Sequence, residues 1–433
     1  MFKRLLLGLL VLLLLLPALQ ARLRFYPEGE LAGAFTRAPH PEFSWEGLQS
    51  TAYQEALGRY VEDRLGFRTL AIRLHNQLSF SLFRVAGLTD LTVGEHEVLF
   101  QPGPIATYAG QDLLDEAEVR FRVRRLRIVQ QELARRGVKL LFVLAPNKAR
   151  FQPEDLPLRL RPAPGILTNY DLFTRAMRAD SLALLDLVPV FARWKTTKPY
   201  PLFPRAGTHW SGYGATLAAD TLLRHLEQLG GLRFPQVRTV GSPRIISSSD
   251  SLLATDNDLG WPLNLLWQRE ATPLAYRRLA FLPPQAGQTR PSALFIGDSF
   301  TWGLMQFSPY IQREFSEDTR FWYYNNEVHL PDSTYHDTGE RVAKLNLQQQ
   351  LESRRFVILL FTEHNLKDRE YGFTDQVYRL YHPLTATDQA AIDQLAQKLT
   401  REASWEEQTK DLEGFQQRIR AKAQDLYERQ LLQ

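Results

Sequence analysis

The sequence has no cysteine among its 433 residues, which excludes disulfide bonds and thiolate chemistry. Its 52 basic and 48 acidic residues leave a net charge of +4, and so small an excess predicts no nucleic-acid binding. The nine histidines show no paired ligand spacing, so we expect neither a metal site nor a cofactor. There is also no visible internal repeat, and the 44% hydrophobic and 23% charged residues are typical of a soluble globular protein.

Only the N-terminus departs from this composition. Lys3 and Arg4 precede the apolar run 5–16, so residues 1–21 are predicted to be a signal peptide or a signal anchor. The run is short for a membrane-spanning helix, which favours cleavage after Ala21, whereas Leu19 suits such a cleavage site poorly, and both alternatives stay open. In either case we expect the bulk of the chain to be exported.

The rest of the chain divides by composition. Residues 22–50 carry several prolines and glycines and are predicted to be a poorly packed linker. Residues 51–375 are predicted to be the main domain, with an elaborated loop or insertion at about 234–288. Residues 376–433 are predicted to be a helical extension, with Trp405 between two charged amphipathic helices.

Five apolar segments of the main domain are predicted to be buried strands, at about 139–145, 184–187, 293–297, 320–324 and 356–361. Helical segments separate them, and two of these helices are predicted at about 111–136 and 339–353. This alternation predicts an α/β fold with a five-stranded parallel sheet and helices on both faces. Sites of such folds lie beyond the carboxyl ends of the strands.

The third predicted strand runs into Gly297-Asp298-Ser299, which we predict to be a sharp strand-to-helix turn. The glycine allows a tight backbone conformation, and the free N–H groups of the helix start could bind an oxyanion. Ser299 is therefore a candidate nucleophile, and Asp298 a candidate for the oxyanion or substrate site. The alternative is an ordinary turn in which Asp298 only caps a helix.

His209 is the candidate base, because it lies in a loop before a helix that Ser211 is suited to cap. The parallel sheet could bring it to Ser299 at one edge. Further candidates follow the strands or flank these two residues. Asn147 and Lys148 are candidates for substrate contact or form a plain turn. Asn325, Asn326 and Asn365 are candidates for the oxyanion site, and Trp210, Tyr213 and Trp302 for walls that stack on a substrate ring or for ordinary core packing.

The order His209-Trp210-Ser211, then Phe295-Ile296-Gly297-Asp298-Ser299-Phe300, resembles the SGNH-hydrolase-like domain of the alginate O-acetyltransferase family (AlgJ and AlgX). Ordinary SGNH esterases place the serine before the histidine. Further similar segments are 62–68, 145–148 and 363–366, so the resemblance covers roughly residues 50–375. It implies a flavodoxin-like three-layer sandwich.

One position departs from that family, whose histidine motif is Asp-x-His-Trp. Gly207 stands where the resemblance leads us to expect the aspartate of a Ser-His-Asp triad. Three alternatives remain: another acid takes the role, a Ser-His dyad acts alone, or catalysis is lost. The acids that we consider by position are Asp256, Asp258 and Glu363.

The resemblance implies an extracytoplasmic, periplasmic O-acetyltransferase that acts on an exported polysaccharide through an acetyl-serine intermediate. It also implies a membrane-bound O-acyltransferase partner that supplies the acetyl group. An uncleaved leader would anchor the protein in the inner membrane. The alternatives are a carbohydrate acetylesterase with the same residues and a non-catalytic polysaccharide-binding or scaffold protein.

Overall fold

The computed structural model describes residues 2–33, 36–87, 90–267, 272–404 and 411–432. Its first element is helix α1 (Phe2–Leu23), which is leucine-rich and exposed. By length and composition alone this helix could cross a membrane, since its mean hydropathy is 2.2, although signal sequences pass the same test.

The strands are β1 (Thr92–Val93), β2 (Leu99–Phe100), β3 (Lys139–Ala145), β4 (Leu184–Asp186), β5 (Val237–Thr239), β6 (Arg244–Ile246), β7 (Leu274–Tyr276), β8 (Leu279–Phe281), β9 (Ala293–Gly297), β10 (Arg320–Tyr323), β11 (Glu327–His329), β12 (Asp337–Arg341) and β13 (Phe356–Thr362). The main sheet has the order β12-β11-β10-β9-β13-β3-β4, and β1-β2, β5-β8 and β6-β7 are separate antiparallel pairs.

The helices after α1 are α2 (Thr51–Glu62), α3 (Arg68–Phe83), α4 (Pro102–Tyr108), α5 (Glu116–Arg135), α6 (Lys148–Phe151), α7 (Asn169–Ala179), α8 (Val188–Thr197), α9 (Gly212–Gly230), α10 (Gly303–Gln306), α11 (Tyr310–Glu314), α12 (Leu347–Glu352), α13 (Phe373–Tyr381), α14 (Ala386–Glu402) and α15 (Leu412–Leu431).

The core lies on the two faces of the main sheet. Strand β13 is buried along its whole length, and its side chains alternate between the faces. Ile358 and Leu360 pack in the cluster that includes α8, α9, α10 and α11, whereas Val357 and Leu359 pack in the cluster that includes α5, α7 and α13. Each such buried side chain stabilises the fold by about 1.5–3 kcal/mol. The molecule is therefore a three-layer α/β sandwich, as predicted.

The five predicted strands all form, and neighbouring members β10-β9-β13-β3-β4 pair in parallel. The prediction of a five-stranded sheet is nevertheless incomplete, because β11 and β12 extend the sheet with antiparallel pairing. Tyr324 and Asn325 turn the chain between β10 and β11 with positive φ angles of 49° and 52°. Periodicity does not report such a reversal.

Two helix predictions need correction. The helix predicted at 339–353 is wrong over its first part, because residues up to Arg341 form β12 and only α12 is α-helical. Pairing with β11 explains the difference, since Arg341 lies opposite Glu327 in the register. The helix predicted from residue 111 begins at Glu116, because the side chain of Asp115 accepts a hydrogen bond from Ala117 N–H at 2.7 Å.

The linker prediction is also wrong for part of residues 22–50, because several of these residues pack on the domain. The rings of Phe25 and Phe67 lie 5.8 Å apart. Glu28 accepts a hydrogen bond from Thr69 N–H at 3.2 Å, and Ala32 N–H donates to Asn264 at 2.6 Å. The described residues of the insertion at 234–288 form β5–β8 and several 3₁₀ turns, so this part is an ordered elaboration.

The C-terminal helices contact the sandwich. Helices α14 and α15 pack against each other, and α13 packs on α5. The buried Arg125 of α5 forms ion pairs with Asp375 of α13 and Glu428 of α15. Trp405 lies outside the described residues.

Candidate active site

The turn that carries Ser299 follows the buried strand β9. Asp298 caps a 3₁₀ helix, Ser299–Trp302, that continues into α10. Gly297 is required for close packing, since a Cβ atom there would lie 2.4 Å from the Leu360 carbonyl oxygen and 2.4 Å from Thr301 Oγ1. The predicted sharp turn is confirmed. Its glycine is needed because a side chain would not fit there, and its φ angle is not positive.

The carboxylate of Asp298 holds this turn in place through hydrogen bonds. Its Oδ1 accepts from Phe300 N–H at 3.0 Å. Its Oδ2 accepts from the N–H and the hydroxyl of Thr362 and from Asn365 Nδ2, each at 2.7 Å. Asp298 is 1% exposed. Asp298 and Asn365 brace the Ser299 turn against the end of β13, which favours a structural role for them over the predicted oxyanion or substrate site.

The structure brings His209 and Ser299 together. His209 Nε2 lies 2.8 Å from Ser299 Oγ, and His209 Nδ1 lies 2.6 Å from Asp258 Oδ2. The other oxygen of Asp258 accepts from Thr208 N–H at 2.9 Å. With Nδ1–H donating to the carboxylate, Nε2 is free to accept the serine proton. These contacts have the order and spacing of a Ser-His-Asp triad.

The carboxylate that contacts His209 lies on the insertion, and Gly207 leaves room for this segment. A Cβ atom at Gly207 would lie 2.5 Å from the Thr255 carbonyl oxygen and 3.1 Å from the carbonyl carbon of Asp256. The segment that carries Asp258 therefore occupies the space that a side chain at residue 207 would need. Main-chain hydrogen bonds of 2.9 Å from Leu259 and Gly260 to the Ala206 carbonyl hold the segment against the histidine loop.

The other two acids considered from the sequence have different partners. Asp256 is fully buried and accepts from Tyr276 OH at 2.7 Å and from Gly212 N–H at 3.3 Å. Burial raises the pKa of Asp256 to about 7. Glu363 is buried in an ion pair with Arg150 and also accepts from Asn147 N–H at 3.1 Å. Of the three, Asp258 is the one that contacts the imidazole.

Lys148 supports the histidine loop from inside the protein. Its Nζ donates to the carbonyl oxygens of Arg205 at 2.8 Å and Gly207 at 2.7 Å. Burial lowers the pKa of Lys148 to about 7. Asn147 is 1% exposed, and its side chain accepts from Arg150 N–H at 2.8 Å to cap α6. Both side chains are buried beneath the histidine loop, which favours the structural alternative for Asn147 and Lys148 over substrate contact.

The three aromatic candidates divide between core and pocket. Trp210 is fully buried and stacks on Phe191 at 5.9 Å, and Tyr213 is buried against Tyr200. Neither forms a sugar-stacking wall, because both rings belong to the core beneath the site. Trp302 lines the pocket that contains Ser299.

The asparagines after β10 hold a turn. Asn325 Nδ2 donates to the Tyr371 carbonyl at 3.0 Å and to Gln376 at 3.2 Å, and Asn326 is exposed. These contacts do not direct either side chain at Ser299. Sequence reasoning missed their neighbour Tyr324, whose hydroxyl interacts with the main-chain N–H and the hydroxyl of Ser299. Burial raises the pKa of Tyr324, so the phenol stays protonated. No pattern in the sequence distinguishes it from the asparagines beside it.

A pocket of about 440 Å³ opens at Ser299. It is lined by His209, Thr255, Asp258, Ser299, Trp302, Tyr323, Glu327, His329 and Tyr335. Strands β10 and β11 thus supply one wall, which the sequence did not predict. In the described part of the chain, no group of three or more histidine, aspartate or glutamate side chains is arranged to hold a metal ion.

A sequence model of the family described as "SGNH hydrolase-like domain, acetyltransferase AlgX" matches residues 91–322. This match covers more than half of the chain and includes both His209 and Ser299. The chain belongs to this family. The sandwich is accordingly the SGNH-hydrolase-like fold that the resemblance implied, with the histidine before the serine in the chain.

Curated relatives in this family include "Probable alginate O-acetylase AlgJ" from two bacteria. The protein of Pseudomonas aeruginosa is 30% identical over 197 residues, which are 44% of this chain and 47% of the relative. That of Azotobacter vinelandii is 26% identical over 180 residues, 41% of this chain and 44% of the relative. The matched part therefore spans somewhat less than half the length of each relative.

Two solved structures are also similar to the chain. The O-acetyltransferase domain of Pseudomonas putida AlgJ has 18% sequence identity and a TM-score of 0.44, with 68% of this chain and 99% of that chain covered. Pseudomonas aeruginosa AlgX has 15% identity and a TM-score of 0.38, with 64% of this chain and 66% of that chain covered.

Proposed function

We propose that this protein is a serine O-acetyltransferase that acetylates a hydroxyl group of an exported polysaccharide through an acetyl-Ser299 intermediate. Membership of an acetyltransferase family supports the reaction class. The observation that carries the proposal is the continuous set of contacts from Asp258 through His209 to Ser299, at 2.6 Å and 2.8 Å. A hydroxyl is scarcely ionised near neutral pH, so a serine nucleophile needs such a base.

In the first half-reaction, His209 Nε2 takes the proton of Ser299 Oγ as this oxygen attacks the carbonyl carbon of an acetyl ester. Asp258 stabilises the imidazolium that forms. The imidazolium then returns the proton to the departing oxygen of the donor, which leaves acetyl-Ser299. In the second half-reaction, His209 takes a proton from the acceptor hydroxyl as its oxygen attacks the acetyl carbonyl carbon. The imidazolium then returns this proton to Ser299 Oγ as that oxygen leaves, which gives the acetylated acceptor and the free serine hydroxyl.

The developing oxyanion needs hydrogen-bond donors. The Ser299 N–H and the Tyr324 hydroxyl are adjacent, and we propose that both donate hydrogen bonds to the oxyanion during the reaction. The Tyr324 hydroxyl can do so because the phenol is protonated. This replaces the sequence-based assignment of the role to Asn325, Asn326 or Asn365.

The decisive experiment uses the full-length chain in detergent with p-nitrophenyl acetate as donor. We expect intact-mass analysis to detect one acetyl group on the protein and to lose it in Ser299→Ala. Hydrolysis of the ester should fall by about 10⁵-fold or more in this variant. Ser353→Ala, at a serine distant in sequence from the triad, is the matched control. An acetyl group that persists on the Ser299→Ala protein would refute the nucleophile.

Two alternatives give different outcomes in the same assay. A carbohydrate acetylesterase would release free acetate and leave added oligosaccharides unmodified. A non-catalytic polysaccharide-binding or scaffold protein would show no acetyl-enzyme, and Ser299→Ala would leave polymer acetylation in cells unchanged. The intact triad contacts favour an enzyme over the scaffold, and the family favours transfer over hydrolysis.

We also propose that helix α1 is retained as a membrane anchor. Its carboxyl end docks on the domain, because Gly66 N–H donates to the Pro17 carbonyl at 3.2 Å and Gln20 is 3% exposed. A Cβ atom at Gly66 would lie 2.3 Å from that carbonyl oxygen. Cleavage after Ala21 would remove both Pro17 and Gln20. The intact mass of protein from the membrane fraction tests this, and a mature chain that begins at Arg22 would refute it.

Such an anchor would hold the domain on the extracytoplasmic side of the membrane. The acetyl donor would then come from a membrane-bound O-acyltransferase in the same bilayer. Cross-linking in intact membranes should capture this partner with the full-length protein, and a Gly66→Leu variant, whose side chain clashes with the docked helix, should reduce the yield.

A further inference from the structure

The part of the pocket beyond Ser299 has an aromatic wall. The half-exposed Tyr335 packs its ring 4.5 Å from that of Trp302, and His329 meets Trp302 edge-on at 5.0 Å. Tyr323 completes this wall. Trp302 and His329 are 3% and 5% exposed, so the exposed ring of Tyr335 supplies the flat apolar surface for the face of a sugar ring. This wall is therefore a candidate acceptor subsite.

The side chains around this subsite include two carboxylates and two imidazoles. Its ionisable lining groups are the carboxylates of Asp258 and Glu327 and the imidazoles of His209 and His329, and no arginine or lysine is among the described lining residues. Asp258 already holds His209 and Thr208. Glu327 makes one contact of 3.2 Å with His329 and stays 37% exposed, so it can accept further hydrogen bonds from a ligand.

Two basic residues near this wall lie outside the pocket lining. Arg341, opposite Glu327 in the sheet, pairs with Asp337 at 3.2 Å at the surface, where its side chain is 40% exposed. Lys148, behind the histidine loop, donates to two carbonyl oxygens inside the protein. Proteins usually recognise a carboxylate with a fork of arginine donors or with lysine. A uronate bound here would instead bring its carboxylate toward Asp258 and Glu327, and this like-charge contact opposes binding.

We infer that the acceptor presented to Ser299 is a sugar unit without a carboxylate, an uncharged hexose or an amino sugar, whose hydroxyl or amino groups donate to Glu327. This rests on the proposed transferase function. It separates the protein from the polyuronate that the curated relatives' printed names indicate for them. Glu327 is then the residue that selects the acceptor.

The test compares three oligosaccharides of equal length, built of glucose, of glucosamine and of mannuronate, with p-nitrophenyl acetate as donor and the full-length chain as enzyme. We expect acetyl transfer to the glucose or glucosamine oligomer to exceed transfer to the mannuronate oligomer by at least about tenfold. Equal or greater transfer to mannuronate would overturn the inference. The acetyl-enzyme is measured in the same samples, so failure of Ser299 acetylation identifies failure of the transferase proposal itself.

A charge reversal makes the test specific to Glu327. Glu327→Lys should raise the ratio of mannuronate to glucose transfer by about tenfold or more. Glu340→Lys makes the same change of charge on the exposed edge strand β12, outside the pocket lining, and should leave the ratio unaltered. Equal shifts in both variants would show a general surface effect and overturn the assignment.

Binding to the Ser299→Ala protein covers the case in which transfer is too slow to measure. Titration calorimetry with the same three oligomers should show tighter binding of glucose or glucosamine units than of mannuronate. Tightest binding of mannuronate, or binding of none of the three, would overturn the inference.

Discussion

The two sides of the site are built in different ways. Ser299 follows a strand buried at every residue, and the carboxylate of Asp298 locks its turn with four hydrogen bonds. Asp258, by contrast, lies on the insertion, with a side chain that is 25% exposed and a segment held to the histidine loop mainly through main-chain contacts at Ala206.

The proposed triad acid thus lies on a loop whose position is set by packing. The nucleophile needs a rigid strand end, because its oxygen must meet both base and substrate. The acid needs only to reach Nδ1 of one imidazole, and a segment about 50 residues away in sequence can do this. Gly207 makes room for that segment.

We expect the largest effect for Asp258→Asn, and this variant also distinguishes Asp258 from the other aspartate of the insertion, Asp256. We expect ester hydrolysis to fall by about 10⁴-fold, because a neutral amide cannot stabilise the imidazolium and can favour the wrong tautomer. Asp256→Asn is the matched control, two residues away on the same segment, and should keep activity at pH 7 within about tenfold. Stopped-flow acetylation rates measure both, and equal losses would contradict the assignment of Asp258.

The next effect tests whether residue 207 must be glycine for the segment that carries Asp258 to pack. Gly207→Asp introduces the aspartate that the family has at this position, but its Cβ atom would lie 2.5 Å from the Thr255 carbonyl oxygen. We expect displacement of the segment 254–258 and a loss of about 10²-fold in ester hydrolysis. In the double variant with Asp258→Asn, the new carboxylate should give no recovery. Recovery above the Asp258→Asn rate would mean that residue 207 can still host the acid.

The parts predictable from the sequence are those set by local pattern. Continuous apolar runs identify β3, β9 and β13, and the Gly297-Asp298-Ser299 turn follows from the end of such a run. Strand β11 has only three residues, and the edge strand β12 is largely exposed, so no periodicity reveals them. The proposed triad acid could not be chosen from the sequence, because the position of Asp258 depends on a long-range contact between Gly207 and the insertion.

A smaller effect should come from Tyr324→Phe. Removal of the hydroxyl beside the Ser299 N–H takes away one proposed oxyanion donor, so we expect kcat to fall by about 10²-fold while KM changes little. Tyr200→Phe, at a ring that packs on Tyr213 in the core, controls for loss of a partly buried hydroxyl. A change confined to KM would assign Tyr324 to ground-state binding instead.

The smallest effect concerns stability and pH at Asp256, the buried neighbour of the triad acid. Burial raises the pKa of Asp256 from 3.8 to about 7, so between these values the folded state binds a proton that the unfolded state has lost. Stability from this group is therefore present below about pH 4 and is lost as the pH rises toward 7, by about 4 kcal/mol. Asp256→Asn keeps an acceptor for Tyr276 OH and cannot ionise. We expect the difference in unfolding free energy between this variant and the natural protein, measured by urea denaturation, to grow in favour of the variant from pH 4.5 to pH 7. A difference that is constant over this range would show that Asp256 ionises in the fold as readily as in the unfolded chain.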